Sequence, residues 1–156
     1  MRRVFPAVRP LGRRAALSLL LVLAAPAAAA PKGRPKVSLD RLVMPEGVER
    51  ARELERHLKR VLHREARRAD WGAGSRAKIE YRFIVEELAV KVEGNVLRVR
   101  CTALGRLPKG KSARSRLDYG GSPARRTEEV KKVLEIVARG VMTRLAELER
   151  HRRLGR

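Results

Sequence analysis

The residues from Gly105 to Ser112 read Gly-Arg-Leu-Pro-Lys-Gly-Lys-Ser, the spacing of a loop that wraps backbone amides around a polyphosphate and adds a lysine and a magnesium-binding serine. That chemistry needs a helix directly behind the loop. Here Ala113, Ser115, Leu117 and Tyr119 alternate with Arg114, Arg116 and Asp118, which is the period of a strand, and Gly120-Gly121 comes next. No later apolar strand ends in an aspartate for the metal. The octet therefore predicts a basic hairpin loop, and no nucleotide or other cofactor is expected.

A second pattern is electrostatic. Arg52, Arg56, Arg60, Arg64 and Arg68 stand four apart. On a helix such like-charge neighbours cost about 0.2–0.5 kcal/mol per pair, so an anionic ligand or nearby acids must offset them. Glu49, Glu53, Glu55 and Glu65 are available. A further set, Arg98, Arg100, Arg114 and Arg116 with Lys91, falls on the polar parity of predicted strands. The candidate anion-binding residues are therefore Arg98, Arg100, Arg114 and Arg116, then Arg56, Arg60 and Arg64.

Other chemistries fail on residue type or spacing. His57 and His63 are six apart and His151 is remote, and Cys101 is the single cysteine, so no zinc set is predicted. Gly120-Gly121-Ser122 beside Arg125 and Arg126 resembles an anion cradle at a helix start, but Pro123 removes one donor and Glu128-Glu129 already complement that positive end. Glu86-Glu87 fall at an irregularity in a strand. No catalytic residues and no enzyme activity are expected.

Residues 1–29 read as a secretory signal. Arg2, Arg3, Arg9, Arg13 and Arg14 precede a leucine-rich run from Ala15 to Ala25, and Ala27-Ala28-Ala29 offers small side chains for cleavage before Ala30. The run is too short for a spanning helix, and Pro26 interrupts it. A lipid-anchored product would need a cysteine just after it, and Cys101 is far away. The expected location is periplasmic or secreted, by general export in preference to the twin-arginine route. Removing residues 1–29 takes away five arginines and no acid, so the net charge falls from +21 to +16. Such a surface attracts polyanions, although a G+C-rich genome raises arginine and alanine content equally well.

Periodicity then places the elements. Residues 30–35, rich in Pro, Gly and basic residues, predict a disordered leader before a single domain at 36–150 and a fraying basic tail at 151–156. Val37 to Met44 predicts a strand. Val48, Ala51, Leu54, Leu58, Val61, Leu62, Ala66 and Ala69 form a helical stripe that ends at Trp71-Gly72, where Trp71 covers an end of the core. Glu93-Gly94-Asn95-Val96 predicts a two-residue hairpin loop. That loop sets Val92 against Leu97, Val90 against Val99 and Leu88 against Cys101 on the core face, and makes Cys101 buried and inert. Ile79, Tyr81, Phe83 and Val85 then lie on the opposite parity, so a β-bulge near Glu86-Glu87 is required. Ser122 predicts an N-cap, with Pro123 at the first position of a helix. Val130, Val133, Leu134, Val137, Val141, Leu145 and Leu148 form its stripe, which runs to about residue 150, about 40 Å, and overhangs the sheet.

The fold expected is a two-layer α+β sandwich in β-α-β-β-β-α order, a mainly antiparallel sheet with two helices on one face. Helix, three strands and helix on a basic chain resembles the double-stranded-RNA-binding domain in topology, which implies nucleic-acid binding. The motifs depart from it: Glu128-Glu129 precede Lys131-Lys132 where that family opens its helix with a basic cluster, and Gly94-Asn95 replaces its Gly-Pro-x-His loop. Tyr81, Phe83 and Tyr119 are predicted inward, away from any base-stacking face. The favoured expectation is an exported, non-catalytic binding protein of the cell envelope. Its partners would be an anionic envelope polymer, lipid headgroups or an acidic protein. The alternatives are a nucleic-acid-binding domain and a structural protein assembling through the second helix.

Overall fold

The computed structural model describes residues 33–108 and 110–155, so the predicted signal segment and its cleavage point lie outside the described residues. Lys36–Val43 forms β1, Ala51–Arg68 α1, Lys78–Glu93 β2, Val96–Arg106 β3, Ser112–Gly121 β4 and Arg126–Arg153 α2. The strands stand in the order β1-β2-β3-β4. β1 is parallel to β2 because α1 carries the chain back across the sheet, and the other pairs are antiparallel hairpins. The two-layer α+β arrangement is thus present. Lys131–Glu53 (2.7 Å), His57–Glu135 (3.1 Å) and Arg139–Glu65 (3.6 Å) join successive turns of the two helices, which therefore run parallel on one face.

The central hairpin has the register read from its turn: Glu93 pairs with Val96, Val92 with Leu97, Val90 with Val99 and Leu88 with Cys101. The ladder shifts between Val85 and Glu87, which makes Glu86 the bulged residue. This extra residue lets Ile79, Tyr81, Phe83 and Val85 share the inner face with Leu88 and Val90. The first four are buried, as are Leu97, Val99 and Cys101 across from them.

Along the inner row of β3 the side chains shrink in the order Leu97, Val99, Cys101, Ala103, Gly105. At the small end α2 lies so near that a Cβ built on Gly105 would stand 2.5 Å from Val141 Cγ1 and 2.6 Å from Leu145 Cδ1. The first glycine of the phosphate-loop spacing is therefore a packing residue. Behind it Leu107 N–H donates to the Lys111 carbonyl (2.8 Å) and β4 begins at Ser112, so the octet turns a hairpin as expected.

Three expectations need correction. Ser122 makes no side-chain cap, because Pro123–Arg125 forms a 3-10 turn that delivers the chain into α2 at Arg126. Gly33 to Pro35, expected to be disordered, are held: Gly74 N–H donates to the Gly33 carbonyl (2.9 Å), and Pro35 is buried. Nor does α2 overhang the sheet. Leu145 and Ala146 are buried, Arg150 pairs with Asp70, and Arg153 donates to the Ala73 carbonyl (3.4 Å). The helix continues to Arg153 because the loop after α1 closes over it, with Trp71 sealing that end through Nε1–H to the Ala66 carbonyl (2.8 Å). Assembly through an exposed helix end loses the feature it rested on.

The same end holds a buried carboxylate. Glu149 is 5% exposed and accepts from Arg152 Nη2 (2.6 Å), Arg152 Nε (2.8 Å) and Arg153 Nε (2.9 Å). The Arg152 hydrogen bond first, then Arg153, holds its carboxyl below the ordinary value of 4.5 against the opposing effect of burial. A depressed carboxylate contributes stability above its unfolded pKa and loses it as pH falls through the folded one. Glu149→Gln is expected to lower stability by about 1–2 kcal/mol at neutral pH, a modest figure because both arginines keep partial solvation. In urea melts the gap between variant and parent should begin to narrow near pH 4.5 and close as pH falls through the lowered pKa; a gap independent of pH would count against this role.

Candidate anion-binding surfaces

Two basic surfaces arise from the fold, one on the open sheet face and one on α1. On the sheet, the register sets Lys91 beside Arg98, and Arg100 beside Asp118, while Thr102 lies between Glu87 and Arg116. Arg98, Arg100, Arg114 and Arg116 are thus brought onto one face, because they share the outward parity of β3 and β4. Acids neutralise most of them. Arg100 reaches Asp118 at 3.0 and 3.1 Å, Arg114 reaches Glu86 at 2.9 Å, and Arg98 stands 3.5 Å from Glu93. Arg116 makes no ion pair among the described residues. Strand order adds a row that periodicity could not show: Arg41 stands beside Arg82, and Arg82 beside Arg106. Of these, Arg82 pairs with Asp40 at 2.7 Å.

On α1 the five-arginine ladder splits. Steps of four residues at 3.6 per turn advance about 40° each, so the ladder winds about 160° around the helix between its first and last members. Arg64 consequently faces the seam with α2, bonding Glu65 at 3.0 Å and approaching Glu135 at 3.5 Å, and Arg68 lies 3.6 Å from Glu65. Arg52, Arg56 and Arg60 remain exposed, and their line continues through His63 to Arg67. None of these four arginines makes an ion pair among the described residues, and Lys59 beside them is held by Glu55 at 2.7 Å. Lys59, Arg60, His63 and Arg67 line a shallow basic hollow that Arg64 and Arg68 border. Arg67 was missed because a strict four-residue spacing hides it; a 3.6-residue wheel would have found it.

The remaining candidates stay apart. His57 sits between the helices, its pKa lowered by burial despite Glu135, whereas His63 and His151 are exposed at separate places. Among the described residues no three His, Cys, Asp or Glu side chains are grouped to hold a metal ion. Glu86 is the bulge and pairs with Arg114, while Glu87 accepts from Thr102 Oγ1 at 3.3 Å. At the start of α2, Arg126 pairs with Glu49 (3.1 Å) and Arg125 stands 3.9 Å from Glu129, so both cations there already have acids. Cys101 is fully buried, and desolvation pushes its thiol up to about 12, which leaves negligible thiolate at neutral pH.

No described helix is long and apolar enough to cross a membrane. No family model matches the chain, and no curated protein matches it. Among solved structures it is similar to a candidate lipoprotein from Caulobacter crescentus CB15, at 16% identity and a TM-score of 0.44, covering 75% of this chain and 90% of that one. It is also similar to a minor lipoprotein from Acinetobacter baumannii, at 14% identity and a TM-score of 0.34 over 76% and 92% of the two chains. A third similarity is to a candidate homologue of the neuraminyllactose-binding hemagglutinin from Helicobacter pylori, at 9% identity and a TM-score of 0.37 over 80% and 91%. Likeness at this level carries no statement about function.

Proposed function

We propose that the protein is an exported, non-catalytic binding module of the cell envelope that engages an anionic component by charge, chiefly through the outer face of α1. The observation that carries this reading is the row Arg52, Arg56, Arg60 and Arg67, exposed and without ion pairs among the described residues, on a domain that elsewhere pairs most of its described arginines with acids. The sheet residues Arg98, Arg100, Arg114 and Arg116 contribute secondarily, since a ligand must compete with Asp118, Glu86 and Glu93 for three of them. The arginine-led, leucine-rich segment 1–29 supports export. Phosphodiester polymers and anionic lipid headgroups both offer the required chemistry.

The test is sedimentation with vesicles containing an anionic phospholipid, and with a phosphodiester polymer, at two salt concentrations. Binding should weaken steeply between about 0.05 and 0.15 M salt, as the Debye length shortens to about 8 Å. Arg56→Glu, Arg60→Glu and Arg67→Glu together should reduce affinity on the order of a hundredfold or more, at about 1 kcal/mol for each basic side chain near an anionic surface. Arg98→Ala with Arg114→Ala should reduce it less than about tenfold, because both are already neutralised. Salt-independent affinity, or a triple variant that binds like the parent, would overturn the reading.

A further inference from the structure

The two edges of the sheet differ. β1 carries an irregularity at Asp40, between the pairs Leu39–Tyr81 and Arg41–Arg82, and irregular edges resist further pairing. β4 has none: its ten residues pair with β3 without a break from Leu97–Gly121 to Arg106–Ser112, and they contain no proline. Among the described residues no segment bonds its backbone on the other side. An even, unguarded strand of this length is a template for another strand.

The sequence of β4 is complementary to itself about Leu117. A two-fold axis there, with the strands antiparallel, sets Leu117 against its own copy, Ser115 against the partner's Tyr119, Arg116 against the partner's Asp118 and Arg114 against the partner's Gly120. Arg116, which makes no ion pair among the described residues, thereby gains one, and each Asp118 lies between its own Arg100 and the partner's Arg116. No outward-facing cation of β4 lies directly opposite another.

The helix layer fits the same axis. Lys132 Nζ–H donates to the Tyr119 hydroxyl (3.1 Å), and a Cβ built on Gly140 would lie 3.1 Å from Ser115 Oγ. Ile136, midway between Lys132 and Gly140, is therefore level with Leu117, midway between Tyr119 and Ser115. Leu117 is half-buried and Ile136 is 43% exposed. α2 packs on β3 and β4 alike, so two copies joined at β4 hold their α2 axes about two strand spacings apart, about 10 Å, which is a packing distance for helices.

We propose that a second copy of this chain occupies the β4 edge, in a two-fold dimer whose four-stranded sheets join into one and whose α2 helices lie antiparallel beside the axis. The net positive charge of the copies opposes their approach, but at about 0.15 M salt charges more than about 8 Å apart are largely screened, whereas Arg116 and the partner's Asp118 meet at closer range. α1 lies on the far side of α2 from this edge, so the interface is independent of the anion-binding surface.

Sedimentation velocity at about 0.15 M salt reads the assembly, with Arg116→Asp and Asp118→Lys as separate variants. Each sets like charges opposite one another at both copies of the pair and should weaken self-association about tenfold or more. Mixing the two variants brings opposite charges together again at both places, so the mixture should recover most of the parent's affinity as a heterodimer. Both side chains are exposed, and circular dichroism should show both variants folded. Three results would overturn the proposal: a parent protein that stays monomeric at about 0.1 mM, single variants that associate like the parent, or a mixture no tighter than either variant alone.

Discussion

Gly105→Ala is expected to destabilise the protein by about 1–3 kcal/mol, and Gly105→Val to prevent folding, because overpacked cores yield only through backbone shifts. The added methyl would stand 2.5 and 2.6 Å from atoms of Val141 and Leu145. Both neighbours are fully buried and neither can swing into solvent. Gly105 has no positive φ, so backbone strain plays no part and the effect is steric. The compensating change is specific: Val141→Ala removes the nearer contact and should recover part of the loss, a coupling that a double-mutant cycle in urea would read directly. If Gly105→Ala melts like the parent, α2 does not lie where described. Loss of folding in this variant also bears on the phosphate-loop spacing, since a defect in any nucleotide assay would then reflect packing.

Deleting Arg82 is expected to abolish folding, while deleting Glu86, four residues on, is expected to change stability by about 1 kcal/mol or less. The contrast comes from side-chain parity. Glu86 is the one unpaired residue between Val85–Ala103 and Glu87–Thr102, so its removal leaves an unbroken ladder with Phe83, Val85, Leu88 and Val90 still inward. Only local twist and the exposed pair with Arg114 are lost. Removing Arg82 instead turns Ile79 and Tyr81 outward against β1. Both are buried, and at about 1.5–3 kcal/mol for each large apolar side chain that loss is a large share of a domain's total stability of about 5–15 kcal/mol. Circular dichroism with thermal melts of the two deletions reads the difference. An unfolded Glu86 deletion would contradict the bulge.

The bulge was legible in advance because strand parity is a local property: Tyr81 and Phe83 could not share a face with Leu88 and Val90 without an extra residue. The hairpin register was legible for the same reason, through Gly94-Asn95. Strand order depends on contacts distant in sequence, so the adjacency of Arg41, Arg82 and Arg106 could not be read, nor could the pairing of β1 with the first half of β2. The helix surface was half legible. Arg56 and Arg60 stay exposed as expected, but Arg64 winds into the seam with α2, where Glu135 meets it. Gly105 misled through its spacing. A glycine demanded by a neighbouring helix has the same signature as one demanded by a phosphate, and only the strand period of Ala113 to Tyr119 separates the two.

The shrinking series from Leu97 to Gly105 makes the protein directional. Its layers meet like a door and its frame, snug where Gly105 lies against α2 and slack where Leu88 and Val90 look into empty space. Volume added near the slack edge can be absorbed, and volume added at the snug edge cannot. Tolerance to substitution is thus graded along a single strand, and the permissive end is the one farthest from Gly105.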